Sequence, residues 1–589
     1  MRPRPYHFTG EKPISMKPPK NALILAALTL ALPCSASANS SKAGSLSEPN
    51  TSSTAPAEKT PDASAKPGST SATDSTSSST NGKDAPAAAV PPAQPQQSTP
   101  APEVSGVTLG LEERFRFEGY NNVDFNRAKP DRLNLIRMRT RPYADVNFND
   151  YLEGYVRLGW EGLKRMDDPA YPLSPAGSEQ ASPYMAGEMW FSSAYIKVKK
   201  FPGLENLSLQ VGRFDMVKGE GWLFNDPSGV DGSRDGYTNG FDLAYTAGKS
   251  KMEFIGIYDP RYDEFFPTLN PTPIVDPTNP ANNGTIKGVV LSEAEVGKQL
   301  QEWDQTALGV YYTNRERRYT DVDSYAFFNR SYGDIRKPAS YLYLPDRSFG
   351  LFGGRIVQRL KQIPGLSLTG EFAYEAGTES SMHSRSANFD MRAWAGFGYA
   401  KKSFRVKFSP YVTAGFWALS GQNPNSRTVG NFDAMFNRTF NTQLSGDAPS
   451  WSEFFAYSYG YEEGTFYWTN LKMAQVESGF SPDKRVTLVA GYAHLDSMEP
   501  FAVNPFHAAG SVAPAAAPAG VFASGLGRGQ LAKVKAIYKI SPHVSGYINL
   551  EKFFPGDFYV PQNSGYWFRA DITYKFKGFL PFQHKESGQ

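Results

Sequence analysis

Apolar and charged residues alternate with a period of two in several segments after about residue 104, and this pattern predicts β-strands with two different faces. The segments are residues 111–118, 134–141, 151–161, 404–408 and 567–576. In each segment one face is apolar and the opposite face is polar or charged. The charged positions on these faces include Glu112, Arg114, Arg116, Glu118, Arg137, Arg139, Arg141, Glu153, Arg157, Glu161, Arg569 and Lys575.

A soluble β-sandwich and a membrane-spanning β-barrel both fit this alternation. The predicted strands have roughly nine to eleven residues, the length that crosses a bilayer at a tilt, whereas soluble strands average about five or six. Tyr151, Trp160, Trp567 and Tyr574 lie near strand ends, where a barrel has its interfacial aromatic girdles. Because backbone groups in lipid must all be paired, the sheet must also close. We therefore predict an all-β fold, a transmembrane antiparallel β-barrel of roughly 16 to 18 strands.

The connections between the predicted strands are of two kinds. Short turns are expected at residues 148–150 and 541–542. Long irregular connections rich in Pro, Asn, Gly and Ser are expected at about 165–187, 259–300, 420–465 and 498–528. Short periplasmic turns and long external loops are the usual asymmetry of outer-membrane barrels. The expected location is therefore the cell outer membrane of a Gram-negative bacterium.

Residues 1–38 have the features of a secretory signal peptide. Met16 is a candidate start of the translated chain, and Lys17 and Lys20 follow it. An apolar run at 22–32 comes next, and Ala-Ser-Ala at 36–38 fits a signal-peptidase site. The apolar run is shorter than the roughly 20 residues of a transmembrane helix. We expect export with cleavage near Ala38.

The exported chain is expected to begin with a disordered linker. Residues 39–103 consist almost wholly of Ser, Thr, Ala, Pro, Gly, Lys and Asp, without an aromatic residue, so they cannot bury enough apolar surface to offset their ordering entropy. The linker is either a periplasmic spacer or a tether to peptidoglycan or to a partner such as a periplasmic scaffold. Residues 104–589 then form the barrel. The only cysteine, Cys34, lies in the signal peptide, which excludes disulfides and cysteine-based metal sites from the exported chain.

Several segments of the barrel region, taken in order, resemble the alginate export family of outer-membrane porins. They are Leu-Gln-Val-Gly-Arg at 209–213, Gly-Glu-Gly at 219–221, Arg234, Asn-Gly-Phe-Asp at 239–242, Ser-Gly-Gln-Asn-Pro at 420–424, Asn-Phe-Asp-Ala-Met-Phe at 431–436, Trp-Thr-Asn-Leu at 468–471 and Phe-Phe-Pro-Gly-Asp at 553–557. The resemblance covers essentially the whole region after the linker. It implies a monomeric barrel of about 18 strands, with an Arg- and Lys-rich constriction that passes an anionic polysaccharide outward. The chain departs from the family pattern in its long linker and in a tail after the last strand, which we expect to end at Phe576.

The charged strand faces suggest how such a pore would select its solute, since rings of Arg and Lys favour anions. The arginines of the first three predicted strands would converge into one ladder, which Arg569 and Lys575 would extend from the last strand. The interleaved carboxylates would keep anion binding weak enough for release. Arg213 and Arg234 are further candidates for the substrate path, although Arg213 needs a bulge or a strand end to turn it inward. The alternative is that these Arg and Glu residues only pair and fill a wide barrel.

Catalysis has little support in the sequence. The histidines of the predicted barrel are scattered, without a metal-binding spacing: His383, His494, His507, His543 and His584. The segment 494–497 combines base, acid and hydroxyl side chains, but adjacency in sequence does not make a catalytic triad. We expect a protein that is not an enzyme and that has no catalytic residues, no metal and no cofactor.

The expected partners are outer-membrane lipid, the barrel-assembly machinery and an anionic solute, with no role for nucleic acid. Three functions remain open from the sequence. The first is export of an anionic polysaccharide, the second is uptake of small organic or sugar acids, and the third is an adhesin or a structural barrel.

Overall fold

The computed structural model describes most of the predicted barrel region. It covers residues 105–122, 125, 132–166, 184–226, 238–260, 263–267, 285–286, 289–290, 304–332, 346–380, 388–423, 425–432, 469–500, 525–560 and 562–582. The predicted signal peptide and linker lie outside these residues.

The described residues form 22 β-strands. In chain order they are β1 (Gly106–Asn121), β2 (Leu133–Asn147), β3 (Leu152–Arg165), β4 (Tyr184–Val198), β5 (Leu207–Phe214), β6 (Met216–Lys218), β7 (Phe224–Asp226), β8 (Thr238–Ala247), β9 (Ser250–Asp259), β10 (Thr285–Ile286), β11 (Val289–Val290), β12 (Asp304–Asn314), β13 (Thr320–Tyr332), β14 (Arg347–Arg359), β15 (Leu366–Ser380), β16 (Asn388–Ser403), β17 (Tyr411–Leu419), β18 (Leu471–Asp483), β19 (Val486–Asp496), β20 (Gly527–Lys539), β21 (Val544–Pro555) and β22 (Gly565–Pro581).

Eighteen of these strands form one closed antiparallel sheet. Each strand pairs with the next one around the barrel, and β6–β7 and β10–β11 are separate two-stranded hairpins. The sheet closes because β1 pairs with β2 on one side and with β22 on the other, from Gly106 opposite Pro581 to Asn121 opposite Tyr566. Closure gives every barrel strand two neighbours, as a backbone in lipid requires. The prediction of a closed antiparallel barrel is confirmed, at the upper end of the expected strand count.

The outer surface of the barrel is apolar. Nearly every barrel strand exposes at least one large apolar side chain on its outer face: Phe115, Val156, Ile196, Val211, Phe241, Phe254, Leu308, Phe328, Phe352, Phe372, Trp394, Phe416, Val476, Tyr492, Val534, Leu550 and Ile572. Such a surface is suited to the hydrocarbon region of a bilayer. No helix in the described part of the chain is long and apolar enough to span a membrane. The apolar exterior fits a barrel located in the outer membrane.

The two ends of the barrel differ as the sequence predicts. At one end the strands are joined by short turns, such as 148–151, where Asn149 Oδ1 accepts hydrogen bonds from the backbone N–H groups of Tyr151 and Leu152. Ser541 Oγ accepts in the same way from His543 and Val544 in the β20–β21 turn. The opposite end has the longer connections, which include 166–183, 260–303 and 420–470. By the usual asymmetry, the short-turn end is periplasmic.

Three sequence predictions about the strands are wrong in detail. Residues 404–408 are not a strand but part of the β16–β17 turn, because Phe408 and Ser409 have φ angles of 70° and 43° that reverse the chain. The last strand does not end at Phe576 but continues to Pro581, because β1 begins early enough to pair with it throughout. Trp567 is not in a lipid-facing girdle, since its side chain is fully buried inside the barrel.

Candidate functional site

A basic wall of the lumen forms where β22, β1 and β2 lie side by side. Arg116, for example, lies opposite Arg137 on β2 and opposite Asp571 on β22. Because successive side chains of a strand alternate between faces and Phe115 is exposed on the outside, these charged residues point inward. We call six of them the basic ladder: Arg114, Arg116, Arg137, Arg139, Arg141 and Arg569.

Glu112 holds one part of the basic ladder together. Its Oε1 accepts hydrogen bonds from Arg139 at 2.7 Å and from Arg141 at 2.5 Å. Its Oε2 lies 3.0 Å from Nζ of Lys575, whose side chain is otherwise largely exposed. One carboxylate of β1 therefore binds three cations, two from β2 and one from β22.

Glu118 and Asp571 have the same role in the other part of the ladder. Glu118 is fully buried and lies 3.6 Å from Arg116 and 3.2 Å from Arg137, and it forms a third ion pair with Arg569. Asp571 accepts a hydrogen bond from Arg116 Nε at 2.9 Å and lies 3.8 Å from Arg114. The sharing of carboxylates keeps the guanidinium groups close together despite their like charge.

Positive charge exceeds negative charge on this wall. Between Glu112 and Glu118, Arg137 and Arg141, and Arg569 and Lys575, the inward faces carry seven cations and three carboxylates. All members of the ladder except Arg137 are buried. Electrostatic interactions are stronger in such a site than in bulk water, so the wall is suited to attract an anion.

Other residues that the sequence analysis singled out lie beside the ladder on β3. Arg157 forms an ion pair with Asp215 at 2.7 Å and donates to Ser192 Oγ. Glu161 is buried opposite Arg139, and Glu153 is half-buried opposite Lys197 at the periplasmic end of the barrel. Glu161 thus lies next to the ladder, whereas Glu153 lies nearer to the periplasmic end of the barrel than the ladder does.

Arg213 is placed apart from the basic ladder. The preceding Gly212 has a φ of +130°, which breaks the strict alternation of β5, and the Arg213 side chain is fully buried. It forms two hydrogen bonds of 2.8 Å with Asp263 and lies over the ring of Phe266. Arg213 therefore attaches the segment 263–267 to the barrel wall. Arg234 lies outside the described residues.

A short hairpin inside the barrel was not foreseen from the sequence. Strands β6 and β7 follow β5 and fold inward, so that Trp222, Leu223 and Phe224 are almost completely buried. Phe224 packs against inward rings of β12 and β13, with its centroid 4.9 Å from that of Phe327. Trp222 packs edge-on against Trp417 of β17, 6.3 Å away between ring centroids. The hairpin therefore crosses the lumen from β5 to the wall formed by β12–β17.

Ion pairs fix the tip of this inner hairpin. At its tip, Glu220 pairs with Arg355 of β14, which also lies 3.2 Å from Asp323. Gly219 beside it has a φ of +59°, and a Cβ there would come within 3.2 Å of the Glu371 carboxylate, so a glycine is needed at this close approach. At the end of β6, directly before this turn, Lys218 binds Glu253 at 2.8 Å.

The hairpin and the basic ladder lie on different sides of the lumen. The hairpin packs on β12–β17, whereas the ladder lies on β22, β1 and β2. Arg157 links the two sides because its partner Asp215 is the residue between β5 and β6. A solute in the lumen would therefore pass with the aromatic hairpin on one side and the guanidinium groups on the other.

The sequence contains a signal for the hairpin. Trp-Leu-Phe at 222–224 is a bulky apolar run within a segment rich in Gly, Asp and Asn. Exposed loops seldom carry such a run, so it indicates a connection that folds against a core. The segment 494–497 combines base, acid and hydroxyl side chains. His494 Nε2 lies 3.4 Å from Asp496 on the outer face, and the Ser497 hydroxyl donates to the carbonyl of Leu526. Within the described ranges, no group of three or more His, Cys, Asp or Glu residues could hold a metal ion.

Comparisons with known proteins add the following. No protein-family model and no curated protein matches the chain. Among solved structures, OccD3 (OpdP) of Pseudomonas aeruginosa is similar with a TM-score of 0.46 and 10% identity over 80% of this chain and 92% of that one. OccAB4 of Acinetobacter baumannii has a TM-score of 0.46 and 12% identity, over 82% of this chain and 100% of that one. The outer membrane protein OprD of Pseudomonas aeruginosa has a TM-score of 0.45 and 9% identity, over 81% and 96% of the two chains.

The fold and the lumen together define the class of the protein. A closed barrel of 18 strands, an apolar exterior and a charged interior narrowed by an inward hairpin are the properties of an outer-membrane porin. The resemblance to the alginate export family stays a prediction.

Proposed function

We propose that the protein is an anion-selective porin that passes small organic or sugar acids across the outer membrane. The observation that carries this proposal is the basic ladder. Its six arginines and Lys575 are seven inward cations that share three carboxylates. If these residues only paired with one another to fill the barrel, the numbers of cations and carboxylates would be equal. The excess of positive charge favours the entry of an anion.

The shared carboxylates also explain how an anion would leave again. A solute carboxylate that approaches Arg139 or Arg141 competes with Glu112, which already binds both. Farther along the wall, the solute competes with Asp571 and Glu118 for Arg116. Guanidinium groups bind carboxylates in bidentate geometry, and competition keeps each binding step weak enough for release. The solute would thus move from one guanidinium to the next.

The inner hairpin favours a small solute over a polymer. It lies across the lumen and is held by Trp222 packing and by the ion pair of Glu220 with Arg355. A path bounded by this hairpin and by buried arginines is suited to a compact anion that needs little displacement of the walls.

Export of an anionic polysaccharide, which the family resemblance implies, would use the same basic wall. It requires every sugar unit of the polymer to pass the hairpin. The direction of passage through such a barrel follows the concentration gradient of the solute. Passage of polymer and passage of small acids are therefore the two outcomes that an experiment must distinguish.

Liposomes that contain the purified full-length protein provide this experiment. Swelling in gluconate or succinate would be fast if the proposal holds, and swelling in a neutral sugar of similar size would be slower. Release of trapped alginate oligomers should not exceed their release from liposomes that lack the protein. Fast release of the oligomers with slow gluconate entry would favour polysaccharide export instead, and no permeability to any solute would indicate a structural barrel.

A matched pair of variants ties the result to the ladder. In the double variant Arg137→Gln and Arg141→Gln, Glu112 and Glu118 each keep two cationic partners, so the barrel is expected to fold. Gluconate entry should fall severalfold. The control is Arg392→Gln on the outer face, where Arg392 is exposed beside Asp390, and it should leave gluconate entry unchanged.

A further inference from the structure

Three neighbouring turns at the periplasmic end of the barrel carry exposed cations. They join β12 to β13 (315–319), β14 to β15 (360–365) and β16 to β17 (404–410). We call their exposed cations the basic rim: Arg317, Arg318, Lys361, Arg405 and Lys407. In the part of the chain that the structure describes, no carboxylate lies within ion-pair distance of these five. The one carboxylate of the three turns, Glu316, accepts a hydrogen bond from the backbone N–H of Lys249.

Hydrogen bonds join the three turns into one surface. The N–H of Arg359 donates to the carbonyl of Tyr319 at 2.7 Å, which ties the first turn to the second. Lys402 Nζ donates to the carbonyl of Pro364 at 2.7 Å, and the N–H of Ser403 donates to that of Gly365 at 2.9 Å. The three turns are therefore held at fixed positions relative to one another.

Exposed apolar side chains alternate with the cations of the rim. Phe404, Val406 and Phe408 are all exposed, and Arg405 and Lys407 lie between them. Nζ of Lys407 lies 4.8 Å from the centroid of the Phe408 ring. The adjacent turn exposes Ile363. These residues continue the apolar outer surface of the barrel to its periplasmic edge.

We propose that the basic rim binds the phosphate groups of anionic phospholipids in the periplasmic leaflet of the outer membrane. Apolar side chains at this level enter the boundary between acyl chains and headgroups, and they bring Arg405 and Lys407 to the depth of the phosphates. A basic surface at the membrane edge attracts anionic lipid by charge. Water-exposed cations alone would not need the apolar residues between them, so the alternation favours a lipid ligand.

The other side of the same barrel end provides a matched comparison. In the β4–β5 turn Lys200 lies 3.8 Å from Glu205, and Lys539 is exposed at the end of β20, beside the β20–β21 turn. Substitution of these two lysines removes the same charge from the same end of the barrel. It leaves the basic rim unchanged.

The test uses the purified full-length protein exchanged into equal amounts of phosphatidylcholine and phosphatidylglycerol, followed by mass spectrometry of the lipid that stays bound. We expect phosphatidylglycerol to be retained in about fivefold preference, the size of effect that one or more surface cations produce at low salt. The double variant Arg405→Gln and Lys407→Gln should lose most of this preference. The double variant Lys200→Gln and Lys539→Gln should keep it.

Equal retention of both lipids by the unmodified protein, or equal loss in the two double variants, would overturn the proposal. Heat-modifiable mobility in electrophoresis shows whether each variant is folded. If the Arg405 and Lys407 variant does not fold, a salt titration of the unmodified protein decides instead. The lipid preference should then fall steeply at high salt, and a preference that does not respond to salt would contradict binding by the rim.

Discussion

Arg355 of β14 and Glu220 at the tip of the inner hairpin form an ion pair although they are 135 residues apart in the chain. Both side chains are largely buried, and Arg355 also lies close to Asp323. This contact attaches the hairpin to the wall opposite the strand from which it comes. It therefore sets how much of the lumen remains open.

Release of the hairpin tip should widen the channel. In Glu220→Gln, Arg355 keeps Asp323 as a partner, and loss of the buried ion pair should reduce stability by about 1–3 kcal/mol. Single-channel recordings in planar bilayers should show a higher conductance and more current noise. The control Arg359→Gln, on the same strand as Arg355, removes an ion pair with Asp321 of β13 and should leave the conductance and the current noise unchanged. An unaltered conductance in Glu220→Gln would mean that the hairpin does not limit the current.

Glu118 should be the carboxylate on which the stability of the basic wall most depends. It is fully buried among Arg116, Arg137 and Arg569. Glu118→Gln leaves three guanidinium groups without their shared counter-charge, and we expect a loss of about 3–5 kcal/mol. Urea unfolding in lipid vesicles measures this change. Glu153→Gln, at the half-buried periplasmic end of β3, should cost much less, and equal losses in the two variants would contradict the assigned role of Glu118.

Glu113 is a carboxylate on the lipid-facing side of β1, where it accepts a hydrogen bond from the Thr140 hydroxyl at 2.6 Å. Charged residues on this face are unfavourable, acidic ones less so than basic ones. Glu113→Leu should therefore stabilise the barrel by about 1 kcal/mol. Thr140→Val alone should destabilise it, because Glu113 loses its donor. Unfolding of the two single variants and the double variant in vesicles would show this, and a destabilised Glu113→Leu would refute it.

Arg213 should affect stability without affecting selectivity. Its guanidinium is fully buried and is bound by Asp263 and Asn239, away from the basic ladder. Arg213→Met leaves Asp263 buried without its partner, with an expected loss of about 3 kcal/mol. The anion preference of the channels that still fold should stay the same. A large drop in anion preference would place Arg213 on the substrate path.

The fold was largely predictable from the sequence because alternation directly reports the two faces of a strand. Phe115 is exposed and Arg114 and Arg116 are buried, as a period of two requires. The same rule failed at residues 404–408, where five residues are too few to separate a strand from a turn. It also failed at Arg213, because the positive φ of Gly212 is a tertiary feature that composition does not reveal.

The site was predictable only in part. Register between β1 and β2 could be expected from a hairpin, so the proximity of Arg116 and Arg137 follows from local sequence. The contact of Trp222 with Trp417 joins residues far apart in the chain, and no local pattern specifies it. Long-range packing of this kind decides how wide the lumen is.

The reversal potential across a planar bilayer with a potassium chloride gradient tests the central claim most directly. If the basic ladder selects anions, the unmodified channel should show a potential of the sign for chloride preference. In the double variant Arg137→Gln and Arg141→Gln this potential should move toward zero, whereas in Arg392→Gln it should not move. A cation-selective or unselective channel, or equal potentials in all three proteins, would contradict the account.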